Sequence, residues 1–571
     1  MFKKHRIFNE RSSFSLRHPI LFVFLVLSLF VLAADSAYGD PIPEVGCDTT
    51  DATYKTKGCW KDVFSSGPIA HATVLPNGNV LHWSSFPPHG YARMWNCNLV
   101  GDANKKLCSL STTNQDIWFT DMINIFCSGH SLMSDGKVII TGGTKPSSES
   151  PEFAEARTIR FNYNPASGQS PWETSPTMYE GRWYPTNVAL GNGGTLTASG
   201  TYWDQGTSQT VVNDVPDILP TPTSSSWTRL TGAGNLTLPL YPWLYYASNG
   251  KVFYAGPTQY GRWLDITGTG AWLATNNSTL PAPAASSTYR ESGSSVMYDV
   301  DKVMVSGGGP VSPVATNEVM DLATPAASPA PAPRPWQTVA PMAFARKHHN
   351  LTIMADGKIL ATGGTKGIGF NNNCERQVVY EAEIWTPSTG PSDSGSWSTM
   401  AKMSYTRRYH STAFLLRDGR VMVGGSDLYP STPTQCNPPL PFSYTTEIFT
   451  PPYLFDQTNG GLAARPRVTS VPGGGSSGDP FNISYGSQFS VSISNSPTTP
   501  TISKVTMIRL SSVTHSFNMN QRINYLSFSQ SGTTLTITPP ANSNVSPPGH
   551  YFMFIIDSSG VPSVAEVVKI S

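Results

Sequence analysis

Short apolar runs that meet at a two-residue polar turn recur along this chain. In residues 407–425 one apolar run ends at Asp418 and Gly419, and a second run ends in a Gly-Gly pair. Asn-Gly and Asp-Gly adopt the positive φ angles of tight turns, so each such segment predicts a β-hairpin. The pattern occurs seven times at intervals of 52 to 62 residues, with turns at Asn77, Asp135, Asn192, Asn249, Asp301, Asp356 and Asp418. Hairpins that repeat with this period predict a β-propeller of seven blades.

A second pattern precedes three of the hairpins. It places Trp, Met, Arg and an aromatic residue at offsets 0, 6, 10 and 12, and it runs from Trp172 to Tyr184, from Trp336 to His348 and from Trp397 to Tyr409. The combined unit resembles the Kelch repeat, which implies four-stranded blades around a central axis. We expect the Trp and Met side chains to fill the space between blades. The paired glycines would let neighbouring backbones approach closely.

The repeats stop near Phe455, and a different pattern follows. Short alternating apolar and polar runs, separated by Gly, Pro and Ser, occupy residues 461–571. This pattern predicts a β-sandwich of the immunoglobulin-like class. We therefore expect an all-β protein, with a seven-bladed Kelch-type β-propeller over residues 40–460 and the sandwich after it.

The N-terminus has the pattern of a secretion signal. Five basic residues precede an apolar run over residues 20–34, and small residues follow up to Gly39. This predicts a signal peptide over residues 1–39 and a secreted protein. The run is short for a membrane span, so an uncleaved anchor is the alternative, and we expect no membrane span in the mature chain. A net charge of +1 offers no case for nucleic-acid binding.

Seven cysteines in an exported chain leave one without a partner. If the six others pair, fifteen connectivities exist, and the pairs close in sequence are Cys47 with Cys59 and Cys97 with Cys108. Pairing the last two, Cys374 and Cys436, leaves Cys127 over. Since an unpaired cysteine in a secreted protein calls for an explanation, Cys127 becomes a candidate functional residue.

Four candidate residues stand where the chain enters a hairpin: Cys127, Tyr184, Tyr409 and His410. Each has a plain structural explanation by itself. Cys127 would usually be a buried small hydrophobe, and Tyr184 occupies the offset that His348 holds in another repeat. A ring-like fold would nevertheless bring these distant positions together at its axis.

Four segments carry a more specific resemblance: NIFCSGHSLMSDGKVIITGG, GRWYPT, RRYHSTAFLLRDGRVMVGG and SSVTHSFNMNQR. They resemble the signature segments of the copper-radical oxidases, the galactose oxidase and glyoxal oxidase family, and GRWYPT resembles the glyoxal oxidase branch more closely. The resemblance implies a copper ion bound by Tyr184, Tyr409, His410 and His515, with His515 supplied by the C-terminal domain. It also implies a thioether between Cys127 and Tyr184, a radical on Tyr184, and Tyr409 as the proton acceptor.

The chemistry requires side chains of these types. Copper(II) favours nitrogen and oxygen ligands, and a nearby cation lowers the pKa of a phenol from about 10. Neighbours on an extended strand point to opposite faces, so Tyr409 and His410 could share one ion only if the backbone bends there. The family also stacks an aromatic ring over the thioether, for which Tyr202 and Trp203 are the two candidates.

The expected function is the oxidation of a small aldehyde, as its hydrate, or of a primary alcohol, with O2 as co-substrate and hydrogen peroxide as product. Two alternatives stay open. One is a non-catalytic Kelch propeller that binds glycans or a protein partner, and the other is an oxidase of galactose-like sugar alcohols. We expect a monomer.

Overall fold

The computed structural model describes most of the chain from Thr53 onward. The described residues are 53–65, 69–84, 91–97, 109–110, 117–118, 124–144, 154–167, 169–259, 261–273, 290–323, 336–372, 374–387, 394–426, 445–474, 480–494 and 498–571. Within the sequence, residues 40–571 form one compact unit. The predicted signal peptide and Cys47, Cys108 and Cys436 lie outside the described residues.

Five antiparallel sheets of four strands each form the repeating part of the fold. Their strands, in hydrogen-bonding order, are Gly129–Leu132, Val138–Thr141, Thr158–Phe161 and Trp172–Ser175; Thr186–Ala189, Thr195–Ala198, Asp217–Leu219 and Thr228–Arg229; Trp243–Tyr246, Val252–Gly256, Arg262–Asp265 and Ala271–Leu273; Lys347–Ile353, Ile359–Thr365, Glu381–Thr386 and Ser396–Lys402; and Thr412–Leu415, Val421–Gly424, Thr445–Thr450 and Cys59–Ser65. In the last sheet the N-terminal strand pairs with the end of the repeat region. This arrangement is that of a β-propeller, as the sequence predicted.

An eleven-stranded sheet contains two further runs of four strands. A hairpin from the C-terminal part of the chain joins these runs, and we call it the axial hairpin. The strands are Ser294–Asp299, Lys302–Ser306, Asn317–Asp321 and Gln337–Val339; the axial hairpin Ser512–Thr514 and Phe517–Asn518; and His71–Val74, Val80–Trp83, Tyr91–Asn96 and Ser109–Leu110, with Ile117–Trp118 beside Tyr91–Asn96.

The hairpin turns have the predicted backbone geometry. The turn glycines Gly78, Gly136 and Gly193 have φ angles of 80°, 90° and 82°. Where the glycine is missing, Asp301 takes the positive φ itself, at 57°. The Asn-Gly and Asp-Gly signals therefore identified the hairpins correctly, including the one that departs from the pattern.

The Arg of the second pattern fastens neighbouring sheets together. Arg182 forms a buried ion pair with Asp217 at 2.6 Å, and its carbonyl accepts a hydrogen bond from the Gly143 amide. A Cβ on Gly142, which has a φ of 75°, would lie 2.0 Å from the same carbonyl oxygen. Arg407 and Gly363 repeat this approach, since a Cβ on Gly363 would lie 2.3 Å from the carbonyl oxygen of Arg407. Glycine is needed here because any side chain would collide with the next backbone.

The Met positions of the pattern belong to the core, as predicted. Met178, Met342 and Met403 are each about 3% exposed, and Trp397 donates a 2.9 Å hydrogen bond to the carbonyl of Ala340. These buried apolar side chains exclude water from the core of the repeat region.

The C-terminal part is β-rich. Its strands form one hydrogen-bonded path: Val468–Ser470, Phe489–Ile493, Thr534–Thr538, Ile523–Ser531, Ile502–Arg509, Gly549–Asp557, Glu566–Ile570 and Phe481–Ile483. Val491, Leu535, Met507 and Ile555 belong to its buried core.

The remaining regular elements are few among the described residues. They are the short helix Tyr54–Lys57, the two-stranded sheet Thr201–Asp204 with Gln209–Val212, and the 3-10 turns Thr231–Ala233, Glu375–Gln377, Pro452–Leu454 and Pro472–Gly474. No helix in the described part of the chain is long and apolar enough to cross a membrane.

Candidate active site

Six residues that are not glycine take a left-handed backbone conformation where the chain enters a sheet. Each of them is followed, fifteen residues later, by a second residue with a positive φ angle. We call these six residues the lead-in ring. They are Cys127 (φ 59°), Tyr184 (69°), Tyr241 (47°), Ser292 (57°), His348 (57°) and His410 (65°). Such φ values are uncommon outside glycine and cost free energy, so their repetition marks a site that the surrounding structure enforces.

Backbone hydrogen bonds connect members of the lead-in ring. The Tyr184 amide donates to the Cys127 carbonyl at 2.8 Å, and the Tyr241 amide donates to the Tyr184 carbonyl at 2.9 Å. The His348 amide donates to the Ser292 carbonyl at 2.7 Å. Residues about 55 positions apart in sequence therefore become direct neighbours, which is how a propeller assembles a site from single residues of successive sheets.

The structure explains how Tyr409 and His410 face the same site. Arg182 and Arg346 precede their lead-in residues by two positions, whereas Arg407 precedes His410 by three. The alignment of Tyr409 with Tyr184 from the Trp offsets is therefore wrong, because one residue is inserted and His410 occupies the equivalent place. The left-handed turn at His410 brings the two ring centroids within 3.8 Å. The backbone bend that a shared ion requires is present.

The axial hairpin delivers His515 to the same place. Its Thr514 hydroxyl donates to the Ala70 carbonyl at 2.7 Å, and its Ser516 carbonyl accepts from the Ser294 hydroxyl at 2.6 Å. Between these anchors His515 turns with a φ of 47°. Its ring centroid lies 4.7 Å from that of His410, 4.9 Å from Tyr184 and 5.2 Å from Tyr409.

The hydrogen bonds define the tautomer of His515. The Thr514 hydroxyl already donates its single proton to Ala70, so it accepts from His515 Nδ1–H at 2.6 Å. The lone pair of His515 then lies on Nε2, which is buried and has no hydrogen-bond partner. Burial and the neighbouring His410 lower the pKa of His515 well below its usual value, so the imidazole is neutral. A buried, neutral, unpartnered imidazole nitrogen fits a metal ligand.

The two tyrosines and Cys127 complete the cluster. The Tyr184 and Tyr409 hydroxyl oxygens lie 2.8 Å apart. Burial raises the pKa of Tyr184 well above its usual value, and the adjacent Cys127 thiol and Tyr409 phenol raise it further. The Cys127 and Tyr184 side chains are themselves hydrogen-bonded. All five residues singled out in the sequence are therefore connected by direct contacts.

The residues present fit a copper ion. Among the described residues, no group of three or more His, Cys, Asp and Glu side chains could hold a metal ion. The set that converges is mixed, with two imidazoles and two phenols. Such nitrogen and oxygen donors suit copper(II). Burial followed by the neighbouring His348 lowers the pKa of His410 to about 3, so this imidazole is neutral as well.

The stacking candidates form no ring contact with Tyr184 in the described part of the chain. Tyr202 and Trp203 are partly exposed on the strand Thr201–Asp204, which pairs with Gln209–Val212. In the described part of the chain, neither ring contacts that of Tyr184. The ring of Trp183 does so edge-on, at a centroid distance of 4.2 Å. The prediction that Tyr202 or Trp203 covers this ring therefore gains no support from the ring contacts.

Three of the cysteines in the described part of the chain are disulfide-bonded: Cys59, Cys97 and Cys374. Their partners lie outside the described residues, so the pairing stays a prediction. Cys127 carries no disulfide bond and is fully buried. The cysteine left over by sequence arithmetic is the one that contacts Tyr184.

Sequence reasoning missed several residues around the cluster. Tyr241 lies edge-on to Tyr184 at 4.8 Å, and the Phe370 ring lies 4.9 Å from that of Tyr409. His71 Nε2 accepts a 3.0 Å hydrogen bond from the Cys127 amide, so it supports the backbone of that residue. Counting fifteen residues back from the glycine at or near the end of the second strand of a repeat, Gly256 or Gly363, would have pointed to Tyr241 and His348. No local signal marks Phe370.

Comparisons with known proteins identify the family. The profile described as Glyoxal oxidase N-terminus matches residues 110–453, and the Galactose oxidase-like, Early set domain profile matches residues 465–570. Galactose oxidase of Gibberella zeae is 27% identical over 527 residues, covering 88% of this chain and 69% of that protein. Aldehyde oxidase GLOX of Vitis pseudoreticulata is 25% identical, covering 79% of this chain and 82% of that protein.

A solved structure gives the same result. It is titled a novel fungal alcohol oxidase with catalytic diversity among the AA5 family, in complex with copper. The two share 25% sequence identity and a TM-score of 0.71, covering 90% of this chain and 100% of that one. Since the glyoxal oxidase profile also spans more than half of the sequence, this chain belongs to the glyoxal oxidase and galactose oxidase family of copper-radical oxidases.

Proposed function

We propose that this protein is a secreted oxidase that converts small aldehyde hydrates or primary alcohols to acids or aldehydes. The reaction removes two hydrogen atoms from the substrate and transfers them to O2, which leaves as hydrogen peroxide. The observation that carries this proposal is the convergence of Tyr184, Tyr409, His410 and His515 within ring contacts of 3.8 to 5.2 Å. We propose these four side chains as the copper ligands.

The bound copper would supply a one-electron redox centre, and a radical on Tyr184 would supply the second oxidising equivalent. Tyr184 suits this role because its ring packs edge-on against those of Trp183, Tyr241 and His515. We propose a thioether between the Cys127 sulfur and a ring carbon of Tyr184. Its formation would remove one hydrogen atom from each residue, the thiol hydrogen and a ring hydrogen, and would transfer both to O2, giving hydrogen peroxide.

Tyr409 is the proposed proton acceptor. Its hydroxyl oxygen lies 2.8 Å from that of Tyr184, so a substrate hydroxyl bound beside one phenol would be within reach of the other. General-base catalysis needs this hydrogen-bond distance in the substrate complex. His410 and His515, both neutral, would hold the metal without competing for that proton.

The domain limits and covalent features belong to the same proposal. We infer seven blades, counting the two four-stranded runs of the eleven-stranded sheet as blades, within residues 40–460. An immunoglobulin-like sandwich would follow over 461–571. Removal of residues 1–39 and disulfides joining Cys47 to Cys59, Cys97 to Cys108 and Cys374 to Cys436 complete the expected secreted form, which we propose to be a monomer.

The test is copper loading in air followed by peroxide detection with glyoxal, primary alcohols and galactose. An active oxidase should bind one copper, show the low-energy absorption of a tyrosyl radical and produce peroxide. A non-catalytic glycan- or protein-binding propeller would bind no copper and produce no peroxide. Peroxide formation only with galactose-type alcohols would instead favour the sugar-alcohol oxidase.

A further inference from the structure

The Cys127 amide has a hydrogen-bond acceptor of a different kind from those of other residues in the lead-in ring. The amides of Tyr184, Tyr241 and His348 each donate to the backbone carbonyl of another member. The Cys127 amide donates to a side chain, His71 Nε2, at 3.0 Å. Because an amide only donates, Nε2 carries the lone pair of the imidazole, and the proton of the neutral ring lies on Nδ1.

The repeat pattern explains why a side chain supplies this acceptor. Cys127 stands eight residues before Asp135, the first turn residue of its hairpin. The same count back from Asn77, in the preceding hairpin, leads to Ile69, which does not share the positive φ angle. The first repeat therefore has no left-handed residue at this position. The acceptor comes instead from His71, two residues further on.

The His71 imidazole is held in a defined orientation. It stacks on Trp83, with a centroid distance of 5.0 Å and an angle of 7° between the ring planes. Trp83 Nε1–H in turn donates to the Ile125 carbonyl at 3.0 Å. Both side chains are buried. Together they fix the backbone two residues before Cys127 and at Cys127 itself.

The strand that begins with His71 also pairs with the axial hairpin. His71 lies opposite Thr514 in antiparallel register, and its ring centroid is 5.7 Å from that of His515. His71 is thus joined through its side chain to the Cys127 backbone and through its strand to the hairpin that carries His515. Placement of the cysteine and docking of the hairpin depend on the same residue.

The position of Cys127 decides whether its sulfur can react. The residue has a φ of 59°, and such strained backbone persists only where surrounding contacts enforce it. Its side chain already contacts that of Tyr184. Bond formation needs the sulfur against a ring carbon, and a displacement of about 1 Å from a reacting position costs about 10²-fold in rate.

We propose that His71 is a positioning residue, which holds Cys127 in its left-handed conformation and so keeps the sulfur against the Tyr184 ring while the thioether forms. This inference rests on the proposed function for the link itself. Link formation breaks the thiol S–H bond and one ring C–H bond and forms one S–C bond. Two electrons and two protons pass to O2, which becomes hydrogen peroxide. His71 acts only through the Cys127 backbone.

The first experiment measures how fast the link forms. Copper-free protein is mixed with saturating copper(II) in air, samples are stopped with chelator and reductant, and the joined peptides of Cys127 and Tyr184 are quantified by mass. His71→Phe keeps a ring against Trp83 but removes the acceptor, so the rate should fall by about tenfold to 10²-fold. His71→Gln retains an acceptor on a side chain of similar reach and should restore most of the rate.

His82→Phe is the matched control. His82 is also buried and packs against a tryptophan, Trp95, at 3.9 Å, on the strand that pairs with His71–Val74. Neither of its ring nitrogens has a hydrogen-bond partner in the described part of the chain. This variant should form the link at the wild-type rate. Equal rates in His71→Phe and His82→Phe, or a His71→Gln variant as slow as His71→Phe, would overturn the proposal.

A second experiment tests the positioning without copper. Hydrogen–deuterium exchange of the copper-free protein is followed by mass spectrometry at the amides of residues 126–128. Exchange at Cys127 should be about tenfold faster in His71→Phe and unchanged in His82→Phe. If His71→Phe does not fold, His71→Leu removes the acceptor with a smaller side chain.

The two experiments separate the positioning role from the proposed function. Unchanged exchange at Cys127 in a folded variant without the acceptor would refute the role of His71. Faster exchange in that variant, together with a wild type that never forms the link, would instead refute the proposed thioether and leave the hold of His71 on Cys127 intact.

Discussion

The hydroxyl oxygens of Tyr184 and Tyr409 lie 2.8 Å apart, although the residues are 225 positions apart in the sequence. Two phenols at this distance share a proton readily, and a substrate hydroxyl can replace either of them. The Tyr409→Phe substitution removes one oxygen and keeps the ring. We expect the rate of turnover to fall by about 10²- to 10⁴-fold, the usual effect of losing a general base.

The control for this variant is Tyr245→Phe, which also deletes a buried phenol oxygen. Tyr245 donates to the Ser295 hydroxyl at 2.8 Å and, among the described residues, forms no hydrogen bond or ring contact with the four proposed ligands. This variant should lose about 1 kcal/mol of stability, as for one hydrogen bond, and keep its turnover. Peroxide assays and thermal unfolding check both. Normal turnover of Tyr409→Phe would exclude Tyr409 as the base.

The Cys127→Ser variant tests the covalent link. Serine fits the fully buried position but forms no thioether, so we expect a folded protein that lacks the radical absorption and most of the activity. After copper loading in air and reduction, the wild type should be lighter by two hydrogen atoms in the joined peptides of Cys127 and Tyr184. A wild-type protein without this mass deficit, or a fully active variant, would contradict the link.

The His515→Ala variant tests the contribution of the axial hairpin to the metal site. It removes the unpartnered Nε2, so copper affinity should fall by about tenfold or more, with little change in unfolding temperature. His550→Ala is the control, because His550 is buried in the C-terminal domain and contacts Tyr163 instead of the site. Copper titration followed by spectroscopy or calorimetry measures the affinity of both variants. Equal affinity in the two variants would remove His515 from the ligand set.

Two glycine variants separate backbone strain from collision. Gly142 and Gly560 both have positive φ angles, 75° and 83°, but only Gly142 faces a carbonyl oxygen, that of Arg182. Gly560→Ala should cost about 1 to 2 kcal/mol from the left-handed backbone alone. Gly142→Ala should cost at least about 2 kcal/mol more, because the sheets must separate. Urea unfolding measures both, and equal costs would show that the close approach is not needed.

The buried His82 predicts loss of stability in acid. Burial, followed by the nearby Arg93 charge, lowers the pKa of His82 to about 3, whereas in the unfolded chain it is about 6.5. The unfolded state therefore binds the proton first. The stabilisation is complete above about pH 6.5 and is lost as the pH falls towards about 3.

His82→Phe keeps a ring against Trp95, which lies 3.9 Å away in the wild type, but cannot titrate. The free energy of unfolding of the variant should depend less on pH, by about 1.4 kcal/mol per pH unit below about pH 6. Denaturant titrations at several acidic pH values measure this slope. An unchanged slope would mean that His82 is not neutral in the folded state.

Much of this architecture could be predicted from local patterns. The turn glycines, the buried Met positions and the close glycine contacts were all visible because each depends on a few neighbouring residues. The sequence also placed Cys127, Tyr184, Tyr409 and His410 at the entries to hairpins, and the structure brings these four side chains together. His515 was accessible only through family resemblance, since its sequence context says nothing of an insertion between two distant strands.

The features that the sequence did not reveal depend on the end of the repeat from which residues are counted and on contacts between distant parts of the chain. Counting forward from Trp397 hid the residue inserted before His410, whereas counting back from Gly425 reveals it. Phe370 was missed because no sequence pattern within residues 366–372 indicates a contact with Tyr409. That neighbourhood arises from hydrogen bonds made by Lys347 and His348.

The axial hairpin has a consequence for biosynthesis. A ribosome releases the repeat region before residues 512–518, so the nascent repeat region still lacks His515 and the two strands of the axial hairpin. If His515 is one of the copper ligands, as proposed, full copper affinity would be reached only after these residues have been made and have inserted between the two runs of strands. Under the proposed function, molecules that lack this hairpin would bind copper more weakly and have less oxidase activity.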